Sequence, residues 1–199
     1  MNIVCLDLEG VLIPEIWINF AERTGIDELR LTTRDIADYD ELMTKRLGIL
    51  REHKLGLTEI QEVIGSMDPL PGAREFTDSL RQAHQLIILS DTFYEFGMPM
   101  MRKLGMPTLF CHKLEVSGSG EIRDYTLRQK DPKRKAVQAL QGLNYRVTAA
   151  GDSYNDTTML AEADTGFLFR SPDNVIAEFP QFQHTEDYDE LRRLIDDAQ

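Results

Sequence analysis

The sequence predicts an α/β fold: a parallel sheet with helices on both faces and a helical cap inserted after the first strand. Three observations carry this. Short apolar runs recur at Ile3–Leu6, Leu86–Leu89, Thr108–Cys111, Val147–Ala150 and Gly166–Phe169, the length of strands buried on both faces. After Gly72 these runs alternate with helical stretches. A block of helical periodicity, Pro14 to about Met67, separates the first run from the second.

The elements follow in order. Ile3-Val4-Cys5-Leu6 ends at Asp7, where acids begin. Pro14 suits a first helical turn, with Trp17, Phe20 and Ala21 on one face. Leu42, Met43, Leu47 and Leu50 form a second stripe with charges between them. Thr58 and Gln61 make a capping-box pattern ahead of Ile60, Val63, Ile64 and Met67. Pro69-Leu70-Pro71-Gly72 breaks the chain. Phe76 and Leu80 mark a helix, and the run Leu86–Leu89 stops at Ser90-Asp91. A short helix near Pro99–Leu104 leads to the strand Thr108–Cys111. Residues 113–128 alternate around Gly118-Ser119-Gly120 and read as a β-hairpin. Asp131-Pro132 starts a helix through Val137 and Leu140. The strand Val147–Ala150 ends at Gly151-Asp152, and a helix with Met159 and Leu160 precedes Gly166–Phe169. Leu191, Leu194 and Ile195 define a last amphipathic helix. The expected division is a discontinuous core, 1–13 and 69–199, with a cap at 14–68.

Composition narrows the function. The 199 residues hold 22 Lys+Arg against 34 Asp+Glu, a formal charge of −12. That balance argues against a nucleic-acid or anionic-membrane partner, since phosphate surfaces reward Lys and Arg. No apolar run approaches the roughly 18 residues of a membrane span. The start MNIVCLDLEG lacks the pattern of a signal peptide, and Cys5 and Cys111 sit in apolar runs as buried, reduced thiols. The expected setting is the cytoplasm, as a monomer or homodimer.

In an open α/β sheet, ligands bind beyond the carboxyl ends of the strands. Three runs here end in Asp7-Leu8-Glu9, Ser90-Asp91 and Gly151-Asp152, which should converge. Asp7, Asp152 and Asp156 together would repel one another unless a cation sat among them. An oxygen-only set favours a hard ion such as Mg²⁺, whose usual co-ligands are phosphate oxygens. Lys133 can add positive charge, Ser90 a hydrogen bond, and an Asp beside the ion can attack phosphorus. Each residue alone has a plainer reading: Asp7 as a turn residue, Glu9 as a solvated acid, Ser90 as a cap, Lys133 as an exposed helix start. The ordered set outweighs its members. No phosphate loop of the G-x-x-x-x-G-K-[ST] type and no H-E-x-x-H occurs, and the four His (53, 84, 112, 184) are scattered.

Taken together, Asp7-Leu8-Glu9-Gly10-Val11, Leu89-Ser90-Asp91, Lys133 and Gly151-Asp152-Ser153-Tyr154-Asn155-Asp156 resemble the four motifs of the haloacid dehalogenase superfamily, in its phosphoserine phosphatase branch. The resemblance covers nearly the whole chain. It implies a Rossmann-like core and a Mg²⁺-dependent hydrolysis of O-phospho-L-serine through an aspartyl-phosphate on Asp7. Glu9 becomes the acid/base. The implied metal ligands are Asp7, the Glu9 carbonyl, Asp152 and Asp156, the last through water. Ser90, Lys133 and Asn155 match groups that hold phosphoryl oxygens, and Asp91 adds to the substrate site. Glu15 and Arg46 match residues that grip the ammonium and carboxylate of the amino acid; the plainer reading of Arg46 is a surface cation.

Two departures stand out. Position 9 is Glu where most members have Asp, and Ser90-Asp91-Thr92 replaces a Ser followed by two glycines. Both resemble a proteobacterial variant that also passes the phosphoryl group to homoserine. Other readings are a phosphatase for another small phosphate ester and a non-enzymatic module that is phosphorylated on Asp.

Overall fold

A computed structural model describes residues 1–32, 35–36 and 38–198. The chain runs β1 (Asn2–Leu6), α1 (Ile16–Thr24), a 3-10 turn (Asp27–Arg30), α2 (Tyr39–Glu52), α3 (Leu57–Gly65), α4 (Ala73–Ala83) and β2 (Gln85–Phe93). It continues through α5 (Tyr94–Lys103), β3 (Thr108–Val116), β4 (Ile122–Thr126), α6 (Pro132–Gly142) and β5 (Arg146–Gly151). A 3-10 turn (Tyr154–Asp156), α7 (Thr157–Glu162), β6 (Thr165–Phe169), α8 (Asp173–Glu178), β7 (Gln183–Thr185) and α9 (Tyr188–Asp197) complete it.

The strands form one sheet in the order β4-β3-β2-β1-β5-β6-β7. All neighbours are parallel except β3 and β4, which pair antiparallel. The predicted α/β class, with its parallel sheet and helices on both faces, is the one observed. Successive side chains on a strand point to opposite faces, so each apolar run feeds two cores. Val4 and Leu6 join one cluster, with Phe76 and Leu80 of α4, Met100 of α5 and Leu191 of α9. Ile3 and Cys5 join the other, with Val137 of α6 and Leu160 of α7. Helices α1 to α3, inserted between β1 and α4, put Phe20, Met43, Leu47, Ile60 and Ile64 into the first cluster. Cys5 and Cys111 are buried and unbridged, and burial pushes the Cys5 thiol up to about 12.

Several details depart from the sequence reading. Strand β2 does not stop at Ser90-Asp91 but continues to Phe93 through a register irregularity. The run at Thr108 and the first arm of the hairpin are one strand, β3, which pairs with β2 and then with β4. Thr58 and Gln61 do not cap α3: Gly56 is the N-cap, and the Glu59 carboxylate accepts its N–H at 2.9 Å. Gln61 instead donates to the Glu95 carbonyl at 2.8 Å, tying α3 to α5. Helix α5 begins at Tyr94, well before Pro99, and α8 and β7 were not anticipated. In β7 only Thr185 is buried, so the strand carries no alternation to read.

The hairpin fastens onto the inserted helices. The Gly120 carbonyl accepts the Leu57 N–H at 2.8 Å, Arg51 donates to the Arg123 carbonyl at 3.1 Å, and the Tyr125 hydroxyl donates to Asp40. Among the described residues, no helix is long and apolar enough to cross a membrane.

Candidate active site

Parallel pairing sets Leu6 beside both Ile88 and Ala150, so β1, β2 and β5 run out at one edge. The residues just beyond meet there. Asp7 is anchored by its N–H, which donates to the Ala150 carbonyl at 3.0 Å. Lys133, in the first turn of α6, is 3% exposed while its neighbours Arg134 and Lys135 face solvent. The exposed-helix-start reading of Lys133 therefore fails.

The Lys133 Nζ lies 2.6 Å from Asp156 Oδ1, 2.8 Å from Asp7 Oδ1 and 3.5 Å from Asp91 Oδ2. Burial by itself would lower the pKa of this lysine, but Asp156, Asp7 and Asp91 outweigh it and hold the group charged. Asp156 is saturated on its other side, where Oδ2 accepts the N–H groups of Asp152 and Ser153 at 3.0 and 3.2 Å. Two glycines make this closeness possible. A Cβ on Gly10 would fall 2.4 Å from Asp152 Oδ2, and one on Gly151 would fall 2.4 Å from the Asp156 Cβ. Gly10 also has φ +77, a conformation that L side chains avoid.

Asp7, Asp152 and Asp156 each offer an oxygen within 4.8 Å of the others. Burial, then Asp156, pushes the Asp7 carboxyl well above the usual carboxylate range, and the same two causes push Asp152 up to about 7. A hard cation is the natural relief for such a set, and its all-oxygen chemistry fits one.

Glu9 is no solvated loop acid. Its Oε2 accepts the Ile16 N–H at 2.7 Å, at the start of α1. Burial, then the Glu15 carboxylate, pushes Glu9 up to about 8, against the opposing pull of the Ile16 N–H and Thr92. Glu15 itself is exposed at the N-cap of α1 and makes no capping bond. Ser90 is buried, and its Oγ accepts the Thr92 N–H at 3.2 Å. Asp91 accepts from the Asn155 amide at 2.9 Å. Its burial is outweighed by Lys133, His112 and Asn155, which hold it below the usual carboxylate range.

Arg46 is 7% exposed, so the surface-cation reading fails too. Its guanidinium sits 4.4 Å from the Trp17 ring centroid and donates to the Leu31 carbonyl at 2.8 Å. No ion pair to it exists among the described residues, and its buried Nε has no hydrogen-bond partner. Burial pushes its pKa down to about 10, while Tyr39, Glu9 and Glu15 oppose the shift.

Thus the structure brings together Asp7, Glu9, Ser90, Asp91, Lys133, Asp152, Asn155 and Asp156, and sets Glu15 and Arg46 within electrostatic reach of Glu9. Sequence reasoning missed Trp17, Tyr39 and His112 as site residues. Trp17 packs against the core as its helical face predicts and also forms the floor under Arg46. His112 is a polar residue inside a strand, and that break in apolar character was the available signal.

A haloacid dehalogenase-like hydrolase family model matches residues 1–164. The chain is 64% identical to the phosphoserine phosphatase ThrH of Pseudomonas aeruginosa over 97% of this chain and 94% of that protein. It is 62% identical to a phosphoserine phosphatase of Pseudomonas syringae pv. tomato, over 97% and 81% of the two chains. In three dimensions it is similar to a phosphoserine phosphatase from T. onnurineus, with a TM-score of 0.74, 22% identity and 98% and 94% coverage.

Proposed function

From the premise that the chain belongs to the haloacid dehalogenase-like hydrolases, we propose that it hydrolyses O-phospho-L-serine to L-serine and phosphate through a phosphoenzyme on Asp7. One observation carries the substrate assignment. On the side of Glu9 away from the Asp7–Lys133 pair, and within its electrostatic reach, the inserted helices supply a buried guanidinium, Arg46, that no carboxylate of the described residues pairs with. A substrate bearing both phosphate and carboxylate would satisfy both ends.

The Asp7 carboxylate attacks phosphorus and the bond to the serine oxygen breaks. Glu9 gives that oxygen its proton, then takes a proton from the water that hydrolyses the aspartyl-phosphate. Lys133, Ser90 and Asn155 hold phosphoryl oxygens, and Asp91 steadies Lys133 and Asn155. Arg46 takes the substrate carboxylate and Glu15 its ammonium. The Asp7, Asp152 and Asp156 carboxylates, with the Glu9 carbonyl, would hold Mg²⁺, Asp156 as an outer ligand since Lys133 and two backbone N–H groups already hold it. Bound there, the ion offsets phosphoryl charge. Residues 14–68 act as the cap that carries the amino-acid clamp. The buried, unpaired thiols of Cys5 and Cys111 suit a reducing cytoplasm.

Homoserine is a second acceptor for the same intermediate. Asp91 and Thr92 support this reading, because two side chains occupy what is glycine in the ordinary branch. The test is phosphate release from phosphoserine with and without Mg²⁺, and with and without homoserine, analysing both products. Mg²⁺-dependent release is expected. Phosphohomoserine in the second tube would establish the transfer, and free phosphate alone would exclude it. No release in any tube would overturn the substrate assignment.

A further inference from the structure

The buried imidazole of His112 faces Asp91 but takes no part in the chemical steps above. We propose that His112 is a positioning residue for the phosphoryl site, fixing the Asp91 carboxylate and through it Lys133 and Asn155; this rests on the phosphatase reading.

The sheet itself delivers the pair. Between Leu89↔Phe110 and Phe93↔His112 the register shifts: β2 advances four residues while β3 advances two. The two extra residues make a bulge that holds Ser90, Asp91 and Thr92. Bulges re-aim side chains, and this one turns Asp91 toward Lys133. The next paired position on β3 carries His112 to the far side of the same carboxylate, with Nε2 3.7 Å from Asp91 Oδ1.

The ring is not free to choose its orientation. Nδ1 accepts the Arg128 N–H at 3.1 Å. A nitrogen that accepts carries no proton, so in the neutral ring the proton is on Nε2, facing Asp91. At 3.7 Å this is an electrostatic contact rather than a finished hydrogen bond. Phe93 packs beside the ring, with centroids 6.2 Å apart. Arg128 also donates from its guanidinium to the Pro132 carbonyl at 2.9 Å, so the segment after β4 that orients His112 is tied to the helix start that carries Lys133. Asp91 is therefore gripped from three sides: Asn155 at 2.9 Å and Lys133 at 3.5 Å on Oδ2, and His112 on Oδ1. Three grips fix a carboxylate where two would leave it free to swing.

Two amide variants separate this role from a structural one. The amide of His112→Asn can keep an acceptor near the Nδ1 position for Arg128 but does not reach Asp91. The amide of His112→Gln can donate near the Nε2 position. Positioning through Asp91 predicts a roughly tenfold fall in kcat for His112→Asn with little change in KM, and His112→Gln within about threefold of the parent. In an Asp91→Ala background the His112→Asn effect should vanish. A mere anchor for the Arg128 segment predicts the reverse order. Equal loss in both variants, or a full effect without Asp91, would also overturn the proposal. The NMR signal of the Asn155 side-chain amide reports the carboxylate's position whatever the substrate. It should move in His112→Asn and hold in His112→Gln, and any other pattern rejects the positioning role. If the parent releases no phosphate from phosphoserine, the substrate reading falls and the amide signal still decides for His112.

Discussion

The two cations of the site make opposite bargains with their surroundings. Lys133 comes from the core and is enclosed by Asp7, Asp156 and Asp91, all within 3.5 Å. Arg46 comes from the inserted helices and is buried nearly as deeply, but it rests on an aromatic face and one carbonyl. A buried charge is costly unless paired. Lys133 meets that requirement inside the protein. Arg46 leaves it open, and a ligand carboxylate can close it. The difference teaches where to look for chemistry and where for specificity: the self-satisfied end holds reacting groups in place, and the unsatisfied end waits for the substrate.

The sharpest break falls at the core end. Asp7→Asn should cut phosphate release on the order of 10⁴-fold or more, because the amide is a poor nucleophile. The Lys133 contact is neutral-compatible, so the variant should remain folded by circular dichroism. Turnover near the parent rate would end the phosphoenzyme mechanism. Next comes Lys133→Met, which strands three carboxylates without their counter-charge. Breaking a buried pair this way costs about 3–5 kcal/mol, so chemical denaturation should show a loss of that order along with lost activity. Unchanged stability would mean that the three acids do not depend on Lys133.

Arg46→Met tests the other end and should separate the two quantities. KM for phosphoserine should rise roughly 10- to 100-fold, while an ester without a carboxylate, such as p-nitrophenyl phosphate, is little affected. Stability should hold or rise slightly, since a buried charge that pairs with no carboxylate of the described residues is replaced by an apolar chain of similar reach. Equal effects on both substrates would remove Arg46 as a carboxylate clamp.

How much of this was legible follows the same division. The core end is built from strand termini, and apolar runs ending in Asp7, Asp91 and Asp152 announce themselves in sequence. Helix α6 could be placed from Asp131-Pro132, and with it Lys133, though nothing local showed that Lys133 turns inward while Arg134 and Lys135 turn out. The bulge in β2 was not legible, because Ser90-Asp91 reads as a strand end and only pairing with β3 reveals that the strand resumes. His112 was hidden for the same reason: its partner is 21 positions away in sequence and is set by register. On the inserted helices, the stripe of Leu42, Met43, Leu47 and Leu50 was visible, but the burial of Arg46 beside Trp17 depends on how α1 and α2 meet. The Glu59–Gly56 cap was missed because Gly offers no side chain to signal it.

The smallest effect tests how the clamp end is held. Tyr125 of β4 donates its hydroxyl to Asp40 in the first turn of α2, and its ring meets Tyr39 and Phe93 edge-on with centroids 6.0 Å apart in each case. Tyr125→Phe keeps both ring contacts and deletes only the hydroxyl. A hydrogen bond to a charged, exposed acceptor contributes about 1 kcal/mol or a little more, which for a chain of this size is a fall in Tm of about 2–4 °C. Its functional effect should exceed that modest shift in kind, because Asp40 and Arg46 ride on the same helix. Loosening the start of α2 leaves Lys133 untouched but widens the range of Arg46 positions. KM for phosphoserine should therefore rise a few-fold with kcat nearly constant, the pattern of lost ground-state binding. A fall in kcat at constant KM would instead mean that the hairpin acts on the core end, through Phe93 and the β2 bulge, and the separation of the two ends would then be wrong.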